Sequence, residues 1–127
     1  MPAASPVLRS ALYGTLLLTT LTATAEACER RPQPPVMVTV GADGMPVVNR
    51  DPIQACEGDT IRWVFQGGAR EFAVMFLDAA NSPFDWNRQT GATVTGTVRA
   101  GAAQVGGFKY DVEVNGRRLD PQIIIER

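Results

Sequence analysis

TIRWVFQ, residues 60–66, decides the fold class. Ile61, Trp63 and Phe65 fall on one side of an extended chain, and Thr60, Arg62, Val64 and Gln66 on the other. Successive side chains of a strand point to opposite faces, so this alternation specifies a strand with one buried face and one wet face. FKYDVEV, residues 108–114, repeats the pattern. Phe108, Tyr110, Val112 and Val114 share one face, and Lys109, Asp111 and Glu113 the other. An amphipathic helix would need apolar residues at three- and four-residue spacing, and no stretch keeps that period for about eleven residues.

Outward from these two segments lie further short runs: Val36–Val40, Pro46–Asn49, Ile53–Cys56, Glu71–Leu77, Thr93–Val98 and Gln122–Glu126. They are rich in β-branched and aromatic residues and are separated by glycine, proline and aspartate, the punctuation of strands and turns. Ile123-Ile124-Ile125 is apolar on both faces and predicts an interior strand. Asn115-Gly116 is a tight-turn pair, although the following RRLDP suggests a longer loop. Helix is confined to a turn near Ala100–Gln104 or Asp78–Asn81. The pattern predicts an all-β Greek-key sandwich over residues 36–127, one domain without repeats.

The start of the chain reads differently. Arg9 is the only charge before Glu26, and ALYGTLLLTTLTATA, residues 11–25, is apolar apart from its threonines. A positive start, a short apolar middle and small residues at Ala23-Thr24-Ala25 and Ala25-Glu26-Ala27 are the pattern of a signal peptide. Residues 1–27 are therefore expected to be a leader cleaved after Ala25 or Ala27. As a helix the apolar stretch would cover about 22 Å, short of a ~30 Å hydrocarbon core. The expected product is periplasmic or secreted, with no transmembrane segment in the mature chain. Residues 28–35 include ERRPQPP, whose prolines exclude helix and predict an extended lead-in. Cys28 and Cys56 are the two cysteines; in an oxidising compartment such a pair is most simply one disulfide. A lipid-bearing Cys28 is the rival reading, but Ala25 stands where a lipoprotein leader usually has leucine.

Composition excludes several functions. Twelve basic residues face thirteen acidic ones for a net charge of −1, and no basic face is discernible, so nucleic acid is not an expected partner. The chain has no histidine. A Ser-His-Asp triad, a histidine general base and a histidine-containing zinc site are thereby impossible.

At this level the chain resembles the cupredoxins, the sandwich of the small blue copper proteins. CEGDTIRWVF, residues 56–65, is similar to the strand that follows a "GDT" turn in that family. EFAVMF, residues 71–76, stands where cupredoxins carry a "PHNVVF" type of strand, FKYDV, residues 108–112, resembles a "YSFYC" strand, and the apolar last strand follows in order. Azurin-like members join the starts of their first and third strands by a disulfide, and Cys28 and Cys56 fall there. The resemblance does not extend to the metal. The family's two histidines and cysteine correspond to Phe72, Asn115 and Val112, and the loop near Leu119 offers no methionine. A His₂Cys copper site cannot form. The expectation is a copper-free relative without a cofactor, with an immunoglobulin-like sandwich as the alternative architecture.

The remaining signals each have a plainer structural role beside the functional one. Met37, Met45 and Met75 could hold Cu(I), but Met37 and Met75 lie in strand runs, where core packing is the simpler role. Asp43, Asp51, Asp59 and Asp120 sit beside glycine or proline, as turn aspartates do; Asp85 lies in SPFDW. Phe84 and Trp86, with Arg88, occupy a polar stretch between strands and are candidates for an interaction surface, unless the loop folds back and Trp86 caps the sandwich. Arg117 and Arg118 are further candidates, with solvated turn charge as the plain alternative. The predicted function is non-enzymatic binding of a protein partner or small ligand through end loops, with periplasmic Cu(I) handling and a histidine-free enzyme as alternatives.

Overall fold

A computed structural model describes residues 27–67 and 70–127; the expected leader, residues 1–27, lies outside the described residues except for Ala27. The strands are β1 (Val36–Val40), β2 (Pro46–Val48), β3 (Ile53–Cys56), β4 (Thr60–Phe65), β5 (Phe72–Met75), β6 (Arg88–Gly91), β7 (Thr93–Thr97), β8 (Gly107–Lys109), β9 (Asp111–Val114), β10 (Arg117–Leu119) and β11 (Gln122–Glu126). Among the described residues a 3₁₀ turn covers Ala79–Asn81 and a short helix, α1, covers Ala102–Val105, both near where the sequence confines helix. The chain is all-β, as its alternation predicts. Among the described residues no helix is long and apolar enough to cross a membrane.

Three sheets share one core. Their strand orders are β2-β1-β4-β7, β10-β9-β5-β6 and β3-β11-β8. β1 runs parallel to β4, and β11 parallel to β3, while the other neighbours are antiparallel. The run Phe108–Val114 keeps its alternation, with Phe108, Tyr110, Val112 and Val114 all buried. Its pairing changes at Tyr110, however: β8 pairs with β11, and β9 pairs with β5. Tyr110 marks this handover, its amide donating to the Pro121 carbonyl at 3.1 Å. The outer sheets also approach at their edges, β10 beside β2 and β6 beside β7.

The buried row of β4 follows the predicted register for Ile61 and Trp63, both wholly buried. Phe65 is only half buried. It lies 6.4 Å from Phe72 with the Arg70 guanidinium 5.5 Å from its ring centre, at the end of the row where the core gives out. β11 is the middle strand of its sheet, which accords with its three isoleucines, although Ile124 is half exposed on the outer side.

Two features depart from the sequence reading. β6 (RQTG) and β10 (RRL) lack the apolar signal of a strand. Both lie at sheet edges, where charged and polar residues discourage unwanted pairing. The longer loop expected after Asn115-Gly116 is also corrected. Asn115 and Gly116 have φ of 51° and 77° and form the whole connection between β9 and β10, because positive φ at both turn residues matches the twist of a two-residue hairpin.

Cys28 and Cys56 form the disulfide, with Cα atoms 5.8 Å apart. The lead-in it anchors is held by polar contacts: Arg30 donates to the Glu57 carbonyl at 2.9 Å, Gln33 to the Gln54 carbonyl at 3.2 Å, and Arg50 to the Pro34 carbonyl at 2.7 Å.

At the centre of the core Trp63 donates its indole N–H to the Tyr110 hydroxyl at 3.3 Å. Burial pushes the Tyr110 phenol well above its ordinary value, a shift that the bond from Trp63 opposes. Because the folded-state value is raised, the neutral phenol's contribution is intact below the unfolded value of about 10 and is lost as pH rises toward the folded value. Stability measured by urea unfolding should therefore stay level near pH 9 and fall above about pH 10, by at most about 1.4 kcal/mol per pH unit from this group. Tyr110→Phe should remove this slope; a slope that persists would place its origin elsewhere.

Candidate ligand-binding groove beside Trp86

The segment from Ser82 to Arg99 builds an open groove at the end of β7. Ser82 is wholly buried. Its hydroxyl donates to the Trp86 carbonyl and accepts the Phe84 amide at 3.1 Å, a local side-chain bridge that fixes the turn. Arg99 clamps the same turn to the end of β7. Its amide donates to the Pro83 carbonyl at 2.7 Å and its Nε to the Ser82 carbonyl at 2.9 Å.

This turn drives Phe84 inward, edge-on to Trp63 with ring centres 5.8 Å apart. Trp86 then stacks on Phe84 at 4.9 Å with planes 22° apart, and meets Phe76 edge-on at 6.0 Å. The stacked arrangement needs Gly96 in the middle of β7. A Cβ there would lie 2.6 Å from Phe84 Cδ1 and 2.7 Å from Cγ. Glycine inside a strand marks such a close approach. Gly96→Ala should cost about 1–3 kcal/mol, because the ring has no room to retreat, and should alter the Trp86 environment. Chemical unfolding and tryptophan emission check this; unchanged values for both would show that Phe84 does not depend on that gap.

Trp86 remains half exposed and lines a cleft of about 610 Å³ with Asp85, Gln89, Thr95, Thr97 and Arg99. That volume is in the range of small-molecule sites. Gln89 Oε1 accepts the Thr95 amide at 2.9 Å, so a side chain caps an outward N–H of the β7 edge. Asp85 is exposed and forms no ion pair among the described residues. The cleft is thus lined by an indole, one carboxylate, one guanidinium, an amide and two hydroxyls, that of Thr97 bonded to Thr60, with formal charges that balance.

The five residues expected to form an interaction surface do not gather in one place. Phe84 is corrected to a core residue, 2 % exposed; the Ser82 turn points it inward. Trp86 stacks over it, as the fold-back alternative supposes, yet keeps one side in the groove. Arg88 and Arg118 belong to the outer face of the β10-β9-β5-β6 sheet. Arg88 sits beside Met75, whose Sδ accepts from it at 2.9 Å, and Arg118 pairs with Glu113 at 3.0 Å and Asp111 at 3.5 Å. Arg117, also on β10, reaches across to the turn between β1 and β2, donating to the Asp43 carbonyl at 2.9 Å.

The positions matched to copper ligands lie on one sheet, on the paired strands β5 and β9 and in the turn that follows β9. Phe72 and Val112 are buried on β5 and β9, where Val112 faces Val74 across the ladder, and Asn115 is in the exposed hairpin turn. Met37, Met45 and Met75 are each half buried and none belongs to the core cluster, so the core-packing role expected for Met37 and Met75 is corrected. Asp43 accepts the Met45 amide, Asp59 the Cys56 amide and Asp51 the Gln122 amide, and Asp120 pairs with Lys109 at 3.2 Å. Among the described residues no three histidine, cysteine or carboxylate side chains cluster.

Gly96, Ser82, Gln89 and Arg99 were not legible as site residues in the sequence. The one usable signal was the glycine within TVTGT. The chain matches no family model, and neither a curated protein nor a solved structure is significantly similar to it.

Proposed function

We propose that the chain is an exported, copper-free relative of the cupredoxins that acts as a non-enzymatic binding protein, taking a small ligand or protein partner in the groove beside Trp86. The observation that carries this reading is the Trp86 ring, half exposed yet fixed by its stack on Phe84 and by the Ser82 and Arg99 bonds. A rigid aromatic at the mouth of a polar cleft supplies contact area at little entropic cost. The cystine, which extracellular compartments permit, and the leader-like start of the chain support export. The parallel pairing of β1 with β4, and a cystine joining the approaches to those two strands, support the cupredoxin reading.

The direct test is capture on immobilised mature protein, with Trp86→Ala beside it. A ligand retained by the first and lost from the second is the expected result; equal retention would move the site away from the groove. For copper, adding Cu(II) should give no intense visible band and no stoichiometric binding at about micromolar levels, because hydrocarbon fills two of the matched positions. A tight one-to-one blue complex would overturn the copper-free reading.

A further inference from the structure

The groove's chemistry narrows the class of ligand. Resting on the reading that the groove beside Trp86 is the binding site, we propose that it takes a neutral saccharide, with a pyranose ring lying on the indole. One face of a pyranose is a patch of C–H groups that packs on an aromatic ring, while its rim presents adjacent hydroxyls, each both donor and acceptor. Planar groups that reach two neighbouring hydroxyls at once suit that rim. Trp86 supplies the platform, and Asp85, Gln89 and Arg99 supply a carboxylate, an amide and a guanidinium beside it.

The hydrogen bonds already made leave the needed groups free. Arg99 spends its Nε on the Ser82 carbonyl, which orients the guanidinium and leaves its terminal nitrogens for a ligand. Gln89 spends its carbonyl oxygen on Thr95 and keeps its amide hydrogens. Asp85 makes no ion pair among the described residues. Other classes fit less well. A phosphate or other anion would meet Asp85 beside Arg99 with no net attraction. An extended peptide adding to the β7 edge would need the Thr95 N–H that Gln89 already holds, so recognition falls to side chains rather than to the ladder.

The test is a nuclear magnetic resonance titration of the mature protein with neutral hexasaccharides of the α-glucan, β-glucan and chitin types, each to about 10 mM, enough to register millimolar affinity. Binding by at least one should shift the Trp86 indole N–H, the Gln89 side-chain amide and the Thr95 and Thr97 amides. The Trp63 indole, buried and bonded to Tyr110, should not move and serves as the internal control. Asp85→Ala, an exposed change that should leave folding intact, should weaken binding by roughly tenfold, as expected for losing a charge-assisted hydrogen bond. Trp86→Ala should abolish binding, and a spectrum that remains dispersed would separate this loss from unfolding. No shift with any of the three probes would overturn the saccharide assignment. A random-peptide library selected on the same protein then distinguishes the two levels. Peptides that move the groove resonances would leave the groove reading standing, and peptides that bind elsewhere would remove it as well.

Discussion

Trp63→Ala is expected to lower stability by about 3–5 kcal/mol, the cost of deleting a fully buried aromatic. Trp63 is wholly buried and touches both halves of the aromatic core: Phe84 at 5.8 Å and Tyr110 at 5.6 Å between ring centres, with its indole N–H on the Tyr110 hydroxyl. Removing it opens a cavity under Phe84, which carries Trp86, and strands the phenol without its donor. A domain of this size has about 5–15 kcal/mol in total, so the variant should be close to its unfolding threshold. Urea unfolding with an unchanged denaturant slope would measure the loss. A loss under about 1 kcal/mol would mean that the β4 register is shifted by one residue. Trp63→Phe should recover most of the packing and lose mainly the hydrogen bond, about 1 kcal/mol.

Removing the cystine should have the next largest effect. Cys28 and Cys56 are 28 residues apart in sequence, and the chain-entropy relation gives about 3–4 kcal/mol for closing such a loop. The lead-in buries little: Arg30, Gln33 and Arg50 hold it by exposed or partly buried hydrogen bonds. The core begins only at Val36. Cys28→Ala/Cys56→Ala should therefore stay folded with the same sheet signature, while its Tm falls by more than roughly 10 °C, since each kcal/mol moves a domain of this size by about 4–8 °C. Adding a reductant to the parent protein should give the same fall. A double variant as stable as the parent would show that the unfolded chain is already constrained there.

Legibility of the sequence followed burial. TIRWVFQ and the 108–114 run disclosed their strands and inward residues because period-two alternation over a half-buried sheet leaves little freedom of register. β6 and β10 were hidden because edge strands with both faces polar carry no such signal. The change of partner at Tyr110 was hidden for another reason: alternation reports which face is buried, and that face stays the same while the backbone passes from β11 to β5.

The site shows the same division. The sequence placed two aromatics in a polar stretch but could not assign them different fates. Phe84 is core and Trp86 is groove only because Gly96, twelve residues further along the chain from Phe84, leaves a ring-sized gap in a neighbouring strand. Arg88, Arg117 and Arg118 looked equivalent as charges, yet tertiary contacts gave each a different partner: a sulfur, a backbone carbonyl and a carboxylate pair. By itself, then, the sequence determined an all-β chain, its buried rows, its turn aspartates and the impossibility of histidine chemistry, since these depend on residue type and local period. Only the tertiary structure decided which strands exchange partners, which loop aromatic faces solvent and which polar groups remain free around it, because those outcomes depend on gaps and hydrogen-bond partners supplied by segments distant in sequence.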